Sequence, residues 1–453
     1  MEFRIEKDSM GEVKVPSGAY YGAQTCRAVE NFPISGIRFP TVFINALALV
    51  KRCAAVVNLK LDKISPEISR AIVTASDEVM SGKYDDQFLV DIFQTGSGTS
   101  TNMNMNEVLS SRANEILTGR KGGKSPVHPN DHVNAGQSSN DVIPTAIHIS
   151  ALIAMEEKLI PALGKLEQEL TKKSHQFRNI KKIGRTHLQD AVPMTLGDEF
   201  SGYARQIHLG VKRLKGVESN LSELALGGTA VGSGLNAHPE FAVSVIELIS
   251  QHTNLYFREA ENHFEAQAAQ DAAVEASSML KCVAVSLVKI ANDIRWLSSG
   301  PRCGLGEISI PSLQPGSSIM PGKVNPVIPE VVLQVAAQVI ANDTAVTLGG
   351  QGGNFELNVM LPLIAHNLLQ SIDLLASASE VFAEKCISGI TANEEKCRSF
   401  IEQSLALVTG LIPHIGYDRA AEIAYKAWNS GQTIREVAEQ EKILSLDILN
   451  ELL

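Results

Sequence analysis

The chain has 453 residues, 44% of them hydrophobic and 20% charged, with a formal net charge of -10. That length points to two or three domains and that composition to an ordinary globular protein. The negative charge argues against nucleic acid as a partner, because phosphates attract cationic surfaces. Any anionic substrate must then be drawn in by local cations.

The six cysteines include no Cys-x-x-Cys pair. The usual local zinc and iron–sulfur patterns are therefore missing, and neither a metal nor another cofactor is expected. Reduced, structural thiols fit an intracellular compartment. The opening MEFRIEKDSMGEV is too acidic for a secretory signal, and no apolar run reads as long enough to cross a bilayer. The expectation is a soluble, cytoplasmic protein with no membrane partner.

Gly11, Pro16, Gly18, Gly22, Pro33 and Gly36 break the first segment into turns. Helical patterning follows over 42–59 and 66–81. Next comes Thr95-Gly96-Ser97-Gly98-Thr99-Ser100-Thr101-Asn102-Met103-Asn104. Its glycines let a backbone approach a ligand, and its hydroxyls donate. It precedes a helical stretch at 106–117, whose N-terminus suits either an anion or a simple helix cap.

His128-Pro129-Asn130-Asp131-His132 places two histidines near an aspartate. The spacing lacks a helical His-x-x-x-His pair, and Pro129 argues against helix there, so a metal is not expected. Ser138, Ser139 and Asn140 are uncharged donors ahead of a helix starting near Pro144. A glycine-free helix is expected over 165–183. The turn Gly184-Arg185-Thr186-His187-Leu188-Gln189-Asp190 holds a histidine, which titrates near neutral pH and suits proton transfer. The alternative is a structural histidine bonded to a carbonyl.

From Glu240 to Ser299 there is neither glycine nor proline, a strong helix signal. Ala276, Leu280, Val283, Leu287, Ile290, Ile294 and Leu297 form a heptad stripe within it. The stripe is long for one chain to cover, which points to a helical oligomer. A second stripe, Ile364, Leu368, Ile372 and Leu375, follows Pro362. No strongly alternating strand series stands out, so the fold class is mainly α. Shorter amphipathic pieces after Gly389, with helix starts near Asn393 and Asp418, read as a small C-terminal domain.

The most informative segment runs from Gly316 to Pro326, GSSIMPGKVNP. Its prolines exclude regular helix or strand, and its glycines open unusual backbone angles. Ser317, Ser318, Lys323 and Asn325 supply hydroxyls, a cation and an amide, as an active-site lid would. By acidity alone the base would be His187, oriented by Glu330 just beyond the lid.

TGSGTSTNMNMNEV, HPNDHVNAGQSSND, GRTHLQDAVPMTLG, LALGGTAVGSGLN and GSSIMPGKVNPVIPE, in this order, resemble the fumarase/aspartase superfamily. Within it the chain is most similar to the iron-independent class II fumarases. The resemblance runs from about Arg4 to Asp418. His187 and the GGNFELN segment, Gly352 to Asn358, look like fumarase; related aspartate ammonia-lyases usually carry glutamine at the histidine position.

The resemblance implies a three-domain, mainly α fold: an N-terminal domain over 1–137, a central five-helix bundle over 138–390 and a small helical domain over 391–453. It implies a homotetramer with a 20-helix core and active sites shared by three subunits. The implied reaction is reversible hydration of fumarate to malate through an aci-carboxylate. Ser317 would take the carbon proton, while His187 and Glu330 handle the water. Ser97, Gly98, Thr99, Ser138, Ser139, Asn140, Thr186, Ser318, Lys323, Val324 and Asn325 would hold the dicarboxylate, with the backbone N–H groups of Gly98 and Val324 among the donors.

His128, Pro129, Asn130 and Asp131 resemble a secondary carboxylate site. Around it the chain departs from the family pattern: His132 stands where an aspartate is usual, and Ala135-Gly136 replace a lysine and a serine. An aspartate ammonia-lyase and a non-catalytic structural member of the fold are the alternatives.

Overall fold

The computed structural model describes residues 2–452, which form two compact units. The first holds the chain up to Pro161 with Lys212–Ala284 and Ala337–Ala376. The second holds Ala162–Val211, Val285–Ala336 and the chain from Ser377 onward. Every crossing between them lies inside a helix: Ile160–Gln176, Leu196–Gly216, Asp271–Leu297, Val327–Gly350 or Leu361–Lys385. The fold is mainly helical, as expected.

In the first unit, the Thr41–Lys60 helix packs on Pro66–Met80 and on Ser139–Ala154. Ser65 caps Pro66–Met80 through its side chain, with proline in the first turn, where its missing N–H costs nothing. The Thr99–Thr118 helix is unusual in burying Thr101, Asn102, Asn104, Asn106, Glu107, Ser110, Ser111 and Asn114. Buried polar groups need partners. Glu107 finds its partners in the N–H groups of Gly22, Gln24 and Thr25 and in the Thr25 hydroxyl, at 2.6–3.0 Å. Its carboxylate thereby caps the Ala23–Asn31 helix. Farther along the unit, Asp343 on Val327–Gly350 binds Ser277 and Lys281 of Asp271–Leu297, and Asn342 binds Gln370 and Ser371 of Leu361–Lys385.

In the second unit, Lys165 pairs with Glu384, His208 with Glu167, and Tyr203 with Asp293. The antiparallel hairpin Lys181–Thr186/Gln189–Thr195 joins the C-terminal helices through one apolar cluster. Ile183 shares that cluster with Ile401, Leu411, Ile423, Ile434 and Leu449.

Several expectations needed correction. The Glu240–Ser299 stretch is three helices, Phe241–Thr253, His263–Ala268 and Asp271–Leu297. Asn254 and Gln270 break it with left-handed φ values of 55° and 68°. Asparagine tolerates that conformation, so a stop signal other than glycine was present. The helix expected over 165–183 ends at Gln176 and is followed by strand. The helix placed near Pro144 begins at Ser139, and the one placed at 106–117 begins at Thr99.

Pro129 does not exclude helix: Pro129–Val133 is one turn of π-helix with proline at its first position. Two hairpins, Phe3–Asp8/Gly11–Pro16 and the one carrying His187, escaped notice.

The Ala276-to-Leu297 stripe is buried, each residue at most 4% exposed, within the single chain. It therefore gives no argument for an oligomer. The reading of the apolar runs also changes. Thr41–Lys60 and Val327–Gly350 are long and apolar enough to cross a membrane by length and composition. The first is mostly buried, and the second carries the paired, buried Asp343.

Candidate active site

The sequence-predicted residues fall in both units. Ser97 to Thr99, His128 to Asp131 and Ser138 to Asn140 lie in the first; Thr186, His187 and 317–330 lie in the second.

In the first unit, two helix N-termini are brought side by side. Gly98, at a φ of 73°, starts Thr99–Thr118, and Ser97 and Thr99 share a 2.8 Å hydroxyl contact. A Cβ on Gly98 would press the Ile143 side chain at 3.0 Å. Gly96 packs on the backbone of Val359, and Leu361 N–H donates to its carbonyl at 2.9 Å. The end of the GGNFELN segment is thus pinned beside the Ser97 turn. The Gly98 N–H was expected to be a free donor, but it bonds the Thr95 carbonyl at 2.8 Å.

Ser138 heads the second N-terminus in a capping box, with its hydroxyl accepting from Asn140 and its N–H donating to Asp141. Asn102 Nδ2 reaches Ser139 Oγ at 2.9 Å and so joins the two termini. Asp141 is fully buried and also accepts from the N–H groups of Gly227 and Thr229 at 3.1 and 3.0 Å. Asn140 Nδ2 donates to the Ala230 carbonyl. The LALGGTAVGSGLN motif is thereby fixed to the Ser138–Asn140 terminus. Burial raises the Asp141 carboxyl above its usual range, against the lowering by its N–H donors and by Lys51.

Lys51 escaped the sequence reading. Fully buried, it donates to Asn134 Oδ1 and Gln137 Oε1, both at 2.9 Å. Asn134 Oδ1 also accepts from Asn102 and Asn106. Burial pushes the Lys51 ammonium down to about 7, with the Asp141 charge opposing. A lysine inside the apolar run INALALVKRCAAVV was the available signal. Asp141 was marked too, by the Ser-x-x-Asp spacing of a capping box.

The secondary-site residues are engaged locally. His128 Nδ1 accepts from the N–H groups of Asn130 and Asp131 at 3.1 and 3.2 Å, and Pro129 is buried.

In the second unit, His187 and Leu188 form the two-residue turn of the hairpin, with φ of 55° and 60°. That turn type favours asparagine and glycine, so the pair is strained. A register shift at Gly184 precedes it. Thr186 and His187 are exposed, and Glu330 sits in the first turn of Val327–Gly350. Within the described chain His187 and Glu330 do not pair.

The lid has neither helix nor strand, as expected. It is closed on itself: Gly316 N–H bonds the Lys323 carbonyl at 2.8 Å, and Asn325 Nδ2 bonds the Gly316 carbonyl at 2.7 Å. A Cβ on Gly316 would meet that Lys323 oxygen at 2.4 Å, so glycine is required. Gly322, at a φ of 80°, turns the tip. Ser317 Oγ accepts from the N–H groups of Ile319 and Met320 at 3.2 and 2.9 Å. Ser318, Lys323 and Val324 are exposed. The lid borders an open cavity of about 460 Å³.

A serine hydroxyl receiving two N–H bonds beside an exposed ammonium can hold negative charge on its oxygen, or on a ligand next to it.

A family model described as "Lyase" matches residues 11–341, and one described as "Fumarase C C-terminus" matches 407–453. The chain is 57% identical over 437 residues to the class II fumarate hydratase of Nitrosomonas europaea, covering 96% of this chain and 95% of that one. To that of Halobacterium salinarum it is 55% identical over 444 residues, covering 98% and 94%. Among solved structures, a class II fumarase from Schistosoma mansoni superposes with a TM-score of 0.97 at 42% identity, over 100% of this chain and 98% of that one. A fumarate lyase:delta crystallin from Brucella melitensis superposes with a TM-score of 0.96 at 47% identity, with the same coverage. With near-complete coverage in both sequence and fold, the chain belongs to the class II fumarases of the fumarase/aspartase superfamily.

Proposed function

We propose that this protein is a fumarate hydratase, interconverting fumarate and malate as a carbon–oxygen lyase. The observation that carries the mechanism is the lid geometry. Ser317 Oγ receives the Ile319 and Met320 N–H groups. Serine is too weak an acid to give a useful base unless its alkoxide is stabilised; two backbone donors do this once other copies close the site and exclude water. In the malate direction the Ser317 alkoxide takes the proton from the carbon next to a carboxylate. The electron pair moves into that carboxylate as the aci-form. The hydroxyl then leaves with a proton delivered through His187 and Glu330, giving fumarate and water.

Lys323, Ser318 and Asn325 on the lid, Thr186 on the hairpin, and the Ser97–Thr99 and Ser138–Asn140 termini hold the two carboxylates. Val324 contributes its N–H. One Asn140 amide N–H and one Asn325 amide N–H are spent inside the fold, leaving the other of each pair for substrate.

We further propose a cytoplasmic homotetramer with a 20-helix core, in which three subunits build each site. The domains would span 1–137, 138–390 and 391–453, the central one a five-helix bundle. Support comes from the Val327–Gly350 helix. Its exposed residues include Ala337, Ile340, Ala341, Thr344 and Leu348. From Val331 to Gly350 its only charge is Asp343, which is buried. The 331–350 part of this helix shows water no charge and is suited to cover by other helices. The unpaired His187 and Glu330 fit a site completed by another copy.

The test of the activity is an absorbance assay at equal concentrations of malate and aspartate. Turnover of malate is expected, and turnover of aspartate alone would replace hydratase with ammonia-lyase.

A further inference from the structure

Lys51 has no part in the chemistry above, yet it meets the segment that leads into one of the two helix N-termini. It sits on the Thr41–Lys60 helix, fully buried. Its Nζ donates to Asn134 Oδ1 and to Gln137 Oε1, both at 2.9 Å. Asn58, farther along the same face of that helix, donates to the Ala135 carbonyl at 3.0 Å. One helix thus holds the 134–137 segment at separate points, and Ser138 is the next residue.

The other terminus is tied to the same oxygen. Asn102 and Asn106, one turn apart on Thr99–Thr118, give their Nδ2 groups to Asn134 Oδ1 at 3.2 and 3.1 Å. Asn102 Nδ2 also reaches Ser139 Oγ at 2.9 Å. Donors from both helices therefore converge on a single carbonyl oxygen. Among the described residues, Asn102 Oδ1 and Asn106 Oδ1 are buried without a partner. Buried acceptors left this way cost stability, so the arrangement is not the one that stability alone would choose. A neutral or a charged amine can make both Lys51 bonds, so the hold does not depend on the protonation of Lys51.

We propose that Lys51 is a positioning residue for substrate binding: through Asn134 and Gln137 it sets the spacing between the Ser97–Thr99 and Ser138–Asn140 termini, so that both aim their donors at one dicarboxylate. Both termini belong to the first unit of a single chain. They therefore enter a site as one preset piece, whichever copies supply the lid and the histidine. The inference rests on the reading of these termini as carboxylate-binding.

The test measures the Kd of an unreactive four-carbon dicarboxylate, with KM and kcat for malate, in the full-length enzyme. Lys51→Met keeps the length of the side chain and removes both bonds. It should raise Kd and KM together by about 10-fold, the scale of one hydrogen bond lost to a charged ligand. The kcat should stay near native, because a loss of uniform binding raises KM alone. Asn134→Asp keeps the accepting oxygen and should bind as the native enzyme does, whereas Asn134→Leu loses it and should match Lys51→Met. A native Kd in folded Lys51→Met overturns the proposal. So does equal binding in the two Asn134 variants, or a fall in kcat with Kd unchanged. A raised Kd accompanied by loss of helical signal marks a merely structural group and counts against it as well. If Lys51→Met does not fold, the Asn134 pair decides. Thr99→Val, which removes one hydroxyl of the termini, separates the two levels. A native Kd there removes the reading of the termini themselves. A raised Kd there with a native Kd in Lys51→Met removes only the role of Lys51.

Discussion

In the proposed mechanism Ser317 takes the carbon proton, and its geometry sets a sharp expectation. Ser317→Ala removes the oxygen that receives two N–H bonds but leaves the Gly316–Lys323 and Gly316–Asn325 bonds in place. Turnover should fall to near background while an unreactive dicarboxylate still binds; substantial remaining turnover would refute the assignment. Lys51 gives a second expectation, in stability. Its ammonium is depressed from 10.5 to about 7 in the folded chain by burial. Between those values the unfolded chain holds a proton that the folded chain has released. Stability from this group therefore rises with pH across that window and is lost as pH falls toward 7. Lys51→Met removes the titration. The unfolding free energy of the native protein minus that of the variant should grow by at most about 1.4 kcal/mol per pH unit across the window. A difference that stays flat there would show that Lys51 is not desolvated as described. The irregular backbone of the lid was legible from residue types alone, because its prolines and glycines exclude regular helix and strand. The Glu307–Arg185 pair was not: nothing in the neighbours of Glu307 predicts that it meets Arg185, 122 residues away.

Among the elements, the His187 hairpin is the most constrained. Leu188 is 71% exposed yet sits at a φ of 60°. Replacing it with glycine removes the left-handed penalty and few contacts, so Leu188→Gly should stabilise the protein by about 1 kcal/mol. The check is the midpoint of denaturant unfolding at fixed protein concentration, and an unchanged or lowered midpoint contradicts the strained turn. Helix cores were read well from periodicity, as in Thr41–Lys60 and Leu361–Lys385. Helix starts were read late wherever polar residues opened the helix. Thr99 and Ser139 begin helices whose first turns are hydroxyls and amides, which sequence logic assigns to loops. Those are the termini that face a substrate in the proposed site, so the errors fall where function overrides propensity. The Glu240–Ser299 stretch failed for another reason. Absence of glycine and proline is not continuity, and Asn254 ends a helix without either.

For the whole molecule, the superfamily was legible because five motifs kept their order between Thr95 and Glu330. The heptad stripe of Asp271–Leu297 is consumed within the chain and so carries no argument for assembly, whereas an exposed surface without charge lies on the 331–350 part of the Val327–Gly350 helix. Ala341→Glu places a charge on that surface without touching Asp343 or its partners. It should shift the sedimenting species from tetramer to smaller forms and abolish turnover together, since each site is proposed to need other copies. A variant that stays tetrameric and active would remove the helix from the interface.

The proposed site as a whole is tested most directly by a crystal structure with an unreactive four-carbon dicarboxylate bound. The account predicts one carboxylate on Lys323 and Asn325, with the carbon chain beside Ser317 Oγ and His187 within reach of the far side. A dicarboxylate seated away from residues 317 to 325, in a crystal of active enzyme, would contradict it.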